Sequence, residues 1–329
     1  MPKRPLSWYV NKYGEITKGK VFLQYEGEGS DVSVLDDAPV WRVPPKVAIV
    51  AAPTGAFFDR GQNENQLYST AEILEDSIQC VDAGACSIHV QVRNEQTGAP
   101  SGDIELYRKV ILPLRKRFGD RVVMDGNAQL GPTTEIKCAP ILEQMLEVSP
   151  VNTTAVHVSG TILGSTRPVC QFQTELFQDY GCKPQIAVHD SGHVENAKRW
   201  LIDTGLLKKP YYWIIVPGIP GSLMMTSPIE MVEGMALMVR RIRDIDQTSE
   251  ICVTMGGRAS GYVIAQAMLM GLHVRVGMED TIYMYPHRPD LIKRNADVVA
   301  WAAQLARQLG REPMTAAEYR KMLRIDDLK

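Results

Sequence analysis

Two segments of this 329-residue chain place polar side chains where a buried β-strand is expected to end. His89-Val-Gln91-Val-Arg93 closes one apolar run, and Arg275-Val-Gly-Met-Glu279 closes another. Because side chains alternate along a strand, the three polar residues of the first segment share one face, and so do Arg275 and Glu279. An imidazole nitrogen and a carboxylate oxygen are suitable ligands for Zn²⁺ or a similar divalent ion. A structural alternative stays open, in which His89 is a hydrogen-bonded core histidine and Glu279 pairs with Arg275.

Other apolar runs also end in polar residues. His189 closes one of them and is a candidate third metal ligand, although a lone strand histidine is more often hydrogen-bonded structure. His157 offers the same two interpretations with a weaker signal. Asn127 closes a further run, and its side-chain amide could hold a carboxylate or an amide of a substrate. His273 begins a run rather than ending one, so it is expected to be structural, as is the surface pair His287-Arg288.

The elements that must position these residues form a repeating pattern. Apolar, β-branched runs typical of buried parallel strands recur along the chain, and a helical periodicity follows each one. The predicted strands span residues 46–54, 87–93, 121–127, 153–159, 184–190, 211–217, 251–255 and 273–278. The predicted helices span residues 70–83, 103–118, 134–147, 173–180, 194–204, 228–243, 261–270 and 291–309.

Strict alternation of strands and helices predicts a parallel sheet with right-handed crossovers. Eight units fit an α/β fold of the (β/α)8 TIM-barrel type. An open doubly wound sheet is the alternative, but no GxGxxG phosphate fingerprint follows any predicted strand. Catalytic groups of a barrel lie at the carboxyl ends of its strands. Strand eight closes against strand one, next to strand two, so His89 and Glu279 are expected to converge on one cation.

Residues 1–43 lie outside the repeat. Alternating apolar residues in Val21-Phe-Leu23 and Val32-Ser-Val34 predict a small β-rich N-terminal extension. Residues 44–329 are predicted to form the TIM-barrel catalytic domain, which ends in a capped amphipathic helix that begins near Met314.

Composition excludes several classes of protein. The formal charge is −2 and no block of five like charges appears, which argues against nucleic-acid and membrane-surface partners. The chain shows neither an apolar run of about 18 residues nor a signal peptide, so a cytoplasmic location is expected. The 6 cysteines lack CxxC spacing, which is typical of reduced core thiols.

A series of short motifs accompanies the candidate residues. The motifs are Ala51-Ala-Pro-Thr-Gly-Ala56, Ser69-Thr-Ala-Glu72, Ala83-Gly-Ala85, His89-Val-Gln-Val-Arg93, Gly98-Ala-Pro-Ser101, Ser159-Gly-Thr161, Asp190-Ser-Gly-His193, Gly218-Ile-Pro-Gly221, Gly257-Arg258, Arg275-Val-Gly-Met-Glu-Asp280 and Asn295-Ala-Asp-Val-Val299. In this order and spacing the sequence resembles the β-keto acid cleavage enzymes, a bacterial family of metal-dependent barrels. The resemblance runs from about Lys46 to Ile325.

This resemblance implies an activity and a set of roles. Family members use one divalent metal ion, usually zinc, to hold a β-keto acid, and acetyl-CoA as co-substrate, giving acetoacetate and a new acyl-CoA. His89 and Glu279 match the family's metal ligands. Arg275 matches an arginine that helps to activate the substrate, and Asp280 matches an acidic residue at the catalytic centre, where it would act as the acid/base. The family's barrels commonly form homo-oligomers, so a dimer or tetramer is expected.

The sequence departs from the family pattern at several positions. The metal strand usually reads His-x-His-x-Arg, and Gln91 replaces the second histidine, so the metal would be held more weakly, be a different metal, or be rescued by His189. Phe57 stands where the family has an acidic residue, Asn127 where it has a serine that contacts the substrate, and Ala187 where it has a glutamate. The predicted substrate contacts are Asn127, Thr54, Phe57 and Arg258.

Three functions follow from these observations. The first is metal-dependent carbon–carbon bond cleavage of a small β-keto acid, with Asp280 as acid/base and Arg275 anchoring a carboxylate. The second is a metal-dependent hydrolase or lyase that does not use CoA and takes a different small substrate. The third is a non-catalytic, ligand-binding barrel, which the adjacent acids Glu279 and Asp280 disfavour.

Overall fold

The computed structural model describes residues 3–13, 43–158, 161–219, 222–223 and 226–328. Tertiary contacts divide the chain into two units, residues 1–42 and residues 43–329. In the first unit a short helix, Leu6–Lys12, is described. The segments for which we predict the β-rich extension, around Val21 and Val32, lie outside the described residues.

The second unit is a closed barrel of eight parallel strands, which confirms the predicted (β/α)8 fold. The strands are β1 (Ile49–Ala51), β2 (Ser87–Val90), β3 (Val123–Gly126), β4 (Val148–Asn152), β5 (Lys183–Val188), β6 (Tyr212–Ile215), β7 (Glu250–Val253) and β8 (His273–Val276). Each strand pairs with its neighbour in sequence, and β8 pairs with β1 through Val274 and Ile49 to close the barrel. The carboxyl ends of β1, β2 and β8 therefore lie side by side.

One helix follows each strand on the outside of the barrel, and a further helix comes after the last of them. The helices are α1 (Thr70–Asp82), α2 (Ile104–Phe118), α3 (Thr134–Leu142), α4 (Arg167–Asp179), α5 (Ser191–Ala197), α6 (Pro228–Ile245), α7 (Ser260–Leu269), α8 (Asn295–Gln308) and α9 (Ala316–Leu323). The predicted capping box is present, because the Ser69 side chain accepts from the Glu72 backbone and the Glu72 side chain accepts from the Ser69 backbone. No helix in the described part of the chain is long and apolar enough to cross a bilayer.

The fourth strand differs from the prediction. We predict residues 153–159, but the barrel strand is Val148–Asn152, and Ala155–Val158 pairs antiparallel with Thr161–Gly164 outside the barrel. Pro150 within the true strand is the reason, because proline normally argues against an interior strand position. His157 consequently lies in this hairpin and not on a barrel strand. Helix α4 also begins earlier than predicted, at Arg167, because Pro168 suits a first helical turn.

The C-terminal helix α9 closes the amino-terminal end of the barrel. Tyr319 is fully buried, and its hydroxyl lies 2.6 Å from that of Tyr212, the first residue of β6. Arg320 forms an ion pair with Glu147 at 2.7 Å. With that end filled by side chains, the carboxyl ends of the strands are left to form the cavity described below.

Candidate active site

His89 and Glu279 meet inside the mouth of the barrel. Nε2 of His89 lies 3.5 Å from Oε2 of Glu279, and both side chains are buried. His89 comes from β2, whereas Glu279 follows β8 by three residues. The convergence predicted from barrel closure is present, while the metal role of the two residues stays a prediction.

The backbone around Glu279 is fitted closely to the end of β1. A Cβ atom at Gly55 would lie 2.2 Å from Cγ of Glu279, so only glycine leaves space for this carboxylate. Gly277 has a φ of +144°, and a Cβ there would lie 2.2 Å from the carbonyl oxygen of Ala52. The buried Asn295 joins the same segments, because its Nδ2 donates to the Pro53 carbonyl and its Oδ1 accepts from the Met278 amide. These contacts fix the backbone from which the Glu279 side chain extends.

Asp125 lies behind His89. The two residues are register partners on β3 and β2, and Oδ1 of Asp125 lies 3.1 Å from Nδ1 of His89. Burial lowers the pKa of His89, but the carboxylates of Glu279 and Asp125 outweigh this effect and raise the pKa above its usual value. The two atoms are close but are not aligned for a hydrogen bond in the described structure. A carboxylate beside Nδ1 favours a proton on that nitrogen and leaves Nε2 to face Glu279, as partners of histidine metal ligands do.

Gln91 completes a triangle of donor atoms with His89 and Glu279. Its amide nitrogen lies 3.5 Å from Nε2 of His89 and 3.1 Å from Oε1 of Glu279. Ligand atoms bound about 2.1 Å from a tetrahedral centre lie roughly 3.4 Å apart, and an amide flip would exchange the nitrogen of Gln91 for its oxygen. Oε1 of Gln91 and Oε2 of Glu279 are buried with no hydrogen-bond partner in the described residues. The set fits a divalent cation with two strong ligands and one weak ligand.

That fit depends on the glutamine. Within the described ranges, no group of three or more histidine, cysteine, aspartate or glutamate side chains is arranged to hold a metal ion. His89 and Glu279 are therefore two conventional ligands, and the third has to be an amide, unless a further side chain moves.

His189 presents an unprotonated nitrogen to the same cavity. Its Nδ1 donates to the Val216 carbonyl at 2.8 Å, so Nε2 carries the lone pair, and Nε2 is buried with no hydrogen-bond partner in the described residues. Burial lowers the pKa of His189 to about 4, so the imidazole is neutral near pH 7. Its backbone amide donates to Nδ1 of His193, which holds the end of β5 in place. His189 can accept a hydrogen bond from a ligand or serve as an additional metal ligand.

Arg275 links both acids of the Glu279-Asp280 pair. Its guanidinium binds Asp280 through Nε–Oδ2 at 3.0 Å and Nη2–Oδ1 at 2.5 Å, and Nη2 lies 3.3 Å from Oε1 of Glu279. Burial raises the pKa of Glu279, and the positive charge of Arg275 opposes that effect. Arg275 lines the cavity, whereas Asp280 is not among its lining residues and lies on the far side of the guanidinium. The arginine is therefore placed to exchange one carboxylate partner for another.

A cavity of about 80 Å³ opens beside these groups. Its polar end is formed by His89, Gln91, Arg275 and Glu279. The apolar part of its lining consists of Ala56, Phe57, Leu130, Pro150, Ala187, Ile214, Val216 and Ile219. At roughly 10–15 Å³ for each enclosed water, this volume holds about five to eight waters, which is the scale of one short organic acid.

Three residues that the sequence places at the barrel mouth do not line the cavity. The Thr54 hydroxyl accepts from Nε of Arg93, and its single proton lies between two acceptors, Oε1 of Gln66 and the Leu67 carbonyl, so the group is used within the protein. Arg93 itself binds the carbonyls of Gly98 and Phe58 and holds the loops after β1 and β2, instead of facing the mouth with His89. Arg258 is exposed and lies outside the cavity. Of the four predicted substrate contacts, Phe57 and Asn127 line the cavity, whereas Thr54 and Arg258 do not.

Comparison with known proteins identifies the family of this chain. Residues 46–325 match the family model described as beta-keto acid cleavage enzyme. The chain belongs to this family. It is 29% identical over 279 residues to the 3-keto-5-aminohexanoate cleavage enzyme of Fusobacterium nucleatum, covering 84% of this chain and 97% of that protein. It is 24% identical over 304 residues to the 3-dehydrocarnitine:acetyl-CoA trimethylamine transferase of Rhizobium meliloti, covering 85% of this chain and 97% of that protein.

Among solved structures, the apo structure of ObcA is similar, with a TM-score of 0.68 at 16% identity. The match covers 79% of this chain and 65% of that chain, and at this identity it supports the barrel fold alone. A second relative with acetyl-CoA in its name is the 3-oxoadipate:acetyl-CoA acetyltransferase of Cupriavidus necator, 21% identical over 282 residues, covering 85% of this chain and 95% of that protein.

Several site residues of this β-keto acid cleavage enzyme family member were missed by sequence reasoning. Asp125 supports His89, and Asn152 and Gln185 line the cavity. The signal for Asp125 was available, because it lies near the carboxyl end of β3, beside a strand that carries a candidate ligand. Asn152 is the last residue of β4. It was missed because the sequence placed the fourth strand at residues 153–159. Oδ1 of Asn127 and Oε1 of Gln185 are buried without a hydrogen-bond partner in the described residues, so both amides can contact a ligand.

Proposed function

We propose that this enzyme cleaves a small β-keto acid in an acyl exchange with acetyl-CoA, giving acetoacetate and a new acyl-CoA. The observation that carries the proposal is the buried contact of His89, Glu279 and Arg275 at the mouth of a barrel that belongs to this family. Of the three relatives named above, two carry acetyl-CoA in their names and the third is named 3-keto-5-aminohexanoate cleavage enzyme.

The proposal includes one divalent metal ion, Zn²⁺ or a similar ion. His89, Glu279 and the amide oxygen of Gln91 would hold it, and His189 is the residue placed to join them if the site adjusts. When bound, the ion would act as a Lewis acid that polarises the keto group of the substrate. Asp125 would keep the coordinating nitrogen of His89 free of a proton by binding the opposite ring nitrogen.

Arg275 and Asp280 would handle the substrate carboxylate and the proton. A carboxylate entering the cavity competes for the guanidinium of Arg275, which now bridges Glu279 and Asp280. Asp280 is covered by the guanidinium and does not line the cavity, so Arg275 would have to shift toward the incoming carboxylate before Asp280 could accept a proton from C2 of the β-keto acid. Asp280 would then become a base only after a substrate carboxylate has bound to Arg275.

The rest of the reaction needs no reactant other than the β-keto acid and acetyl-CoA. The C2 carbanion attacks the thioester carbonyl of acetyl-CoA, forming a carbon–carbon bond and releasing CoA thiolate. The thiolate attacks the original keto carbon, the bond between C2 and C3 breaks, and the acyl group leaves as a new thioester. The electron pair stays on C2 of acetoacetate, which recovers the proton from Asp280.

The cavity favours a substrate whose substituent on the keto carbon is short and uncharged. Phe57 and Ala187 belong to its apolar wall, and Asn127, Asn152 and Gln185 add neutral amides. Among the described lining residues, the carboxyl and guanidinium groups belong to Glu279 and Arg275, which form the polar end with His89 and Gln91. A charged substituent would lose its hydration against this wall without a partner of opposite charge.

A substrate comparison tests this function. We expect 3-oxopentanoate and 3-oxohexanoate to be turned over with acetyl-CoA, releasing acetoacetate and propionyl- or butyryl-CoA detected by mass spectrometry. 3-Keto-5-aminohexanoate and 3-oxoadipate should react at least about tenfold more slowly, since each carries a charge on its substituent. Asp280→Asn is the inactive control. Consumption of β-keto acid without acetyl-CoA would favour the CoA-independent lyase, and no turnover of any of the four acids would overturn the proposal.

A further inference from the structure

A cluster of arginine and aromatic side chains lies on the surface beside the candidate active site. It consists of Arg258 and Tyr262 after β7, and Tyr283, Tyr285, His287 and Arg288 after β8. Arg258, Tyr262, His287 and Arg288 are exposed, and the other two are partly exposed. We call these six residues the rim cluster. None of them takes part in the chemistry described above.

The rings of the rim cluster hold its charged groups in place. The guanidinium of Arg258 lies 3.7 Å from the centre of the Tyr283 ring, and that of Arg288 lies 4.3 Å from the centre of the Tyr285 ring. The Tyr262 hydroxyl lies 3.2 Å from Nδ1 of His287. Stacked guanidinium groups lose little conformational freedom when they bind a second partner. The arrangement is therefore suited to hold an anion at a defined position.

The charge of the rim cluster is incompletely neutralised. Arg288 forms an ion pair with Asp290 at 2.8 Å. Arg258 donates through Nη1 to the Arg288 carbonyl at 3.2 Å, and in the described residues no carboxylate forms an ion pair with it. Arginine is the side chain best suited to bind phosphate by paired hydrogen bonds. An exposed arginine without an acidic partner, beside a second arginine, is available for a phosphate group.

The rim cluster is continuous with the catalytic segment. The Gly257 amide, adjacent to Arg258, donates to the Asp280 carbonyl at 3.0 Å, and Tyr283 follows Asp280 by three residues. The loops after strands seven and eight are also where (β/α)8 barrels frequently bind phosphate groups. A ligand that reacts beside Asp280 and carries phosphates on a flexible arm would meet the rim cluster first.

We propose that the rim cluster binds the nucleotide end of acetyl-CoA. Arg258 and Arg288 would contact its phosphates, and a partly exposed tyrosine ring would pack against the adenine. A cavity of about 80 Å³ can take the acetyl thioester but not the nucleotide, which has to lie outside at the rim. This inference rests on the proposed function, because it names where that function's co-substrate is held.

The test compares two thioesters with the double variant Arg258→Ala/Arg288→Ala. For acetyl-CoA we expect KM to rise at least about tenfold, as for loss of a charged hydrogen bond, with kcat and the KM of the β-keto acid within twofold of wild type. For S-acetylpantetheine, which lacks the nucleotide, the variant should match wild type. Arg117→Ala, an exposed arginine on α2, is the matched control. Equal effects on both thioesters, or an unchanged KM for acetyl-CoA, would overturn the assignment.

Direct binding separates this inference from the proposed function. Calorimetric titration with CoA alone needs no turnover, and we expect binding to wild type and at least about tenfold weaker binding to the double variant. CoA binding that depends on the two arginines, together with no acyl exchange, would overturn the proposed function and keep the site. Acyl exchange with CoA binding equal in both proteins would keep the function and overturn the site.

Discussion

Oδ1 of Asp125 lies 3.1 Å from Nδ1 of His89, with both side chains buried at the carboxyl ends of adjacent strands. The contact gives the His89 ring a defined orientation, in which its other nitrogen faces Glu279. A histidine that is held in this way is prepared to bind a cation, because its ring does not need to be ordered when the ion arrives.

Asp125→Asn should therefore weaken metal binding without touching a metal ligand. We expect the affinity for Zn²⁺ to fall by about 10–100-fold, the usual effect of losing a partner of a coordinating histidine. Competition with a chromophoric chelator measures this affinity. Asp82→Asn, an exposed aspartate on α1, is the control and should bind as wild type does. Equal affinity in Asp125→Asn and wild type would show that the carboxylate does not support a metal ligand.

Gln91→His should tighten metal binding. An imidazole is a stronger zinc ligand than an amide, and residue 91 already lies within 3.5 Å of the neighbouring donor atoms. We expect an increase of at least about tenfold, roughly 1.4 kcal/mol. His89→Ala and Glu279→Gln should each remove most of the bound metal, as measured by elemental analysis.

Gln185→His is the matched control for that substitution, because Gln185 also lines the cavity but comes from β5. The same increase in metal affinity in both variants would point to an unspecific effect of an added histidine. Metal content unchanged in His89→Ala and Glu279→Gln would exclude the site itself.

Gly55→Ala should disturb catalysis more than folding. The new methyl group would stand 2.2 Å from Cγ of Glu279, so the carboxylate has to move away from His89 and Arg275. We expect a loss of about 1–3 kcal/mol in the free energy of unfolding, typical of overpacking, and a kcat reduced at least about tenfold. Denaturant unfolding and steady-state kinetics measure the two effects. A variant that keeps full activity would show that the position of Glu279 is unimportant.

Lys183→Met tests a buried charge at the opposite end of the barrel. Lys183 begins β5, its ammonium donates to the Lys208 carbonyl at 3.3 Å, and burial lowers its pKa from 10.5 to about 8. Between these two values the unfolded chain binds more protons than the folded one, so the wild-type free energy of unfolding rises with pH through this window. Below about pH 8 the protonated lysine destabilises the folded protein.

We therefore expect Lys183→Met to be more stable than wild type at pH 7, by about 2–3 kcal/mol, and the difference to shrink between about pH 8 and pH 10. Urea unfolding at several pH values measures it. The exposed Lys116→Met on α2 should show no such dependence. A difference that is independent of pH would mean that the ammonium group is not desolvated in the folded state.

Local sequence features determined the architecture and half of the site. The strand–helix alternation predicted the closed barrel, and the Ser69–Glu72 spacing predicted a capping box that is present. The alternation of side chains along one strand predicted that His89 and Gln91 share a face, and both line the cavity. These properties depend on neighbours within a few residues, so the sequence carries them directly.

Only the tertiary structure decided which polar groups satisfy one another. Thr54 and Arg93 are occupied by loop contacts, Asp280 is held by Arg275, and Asp125 is brought to His89 by the register between two strands. The contacts of Thr54 with Arg93 and of Asp125 with His89 join residues that are far apart in the chain, so no local pattern encodes them. Arg275 and Asp280 are close in the chain, but whether they pair depends on how the loop after β8 packs in the barrel mouth. A buried polar group takes the partner that the fold places within reach, because leaving it unpaired is costly.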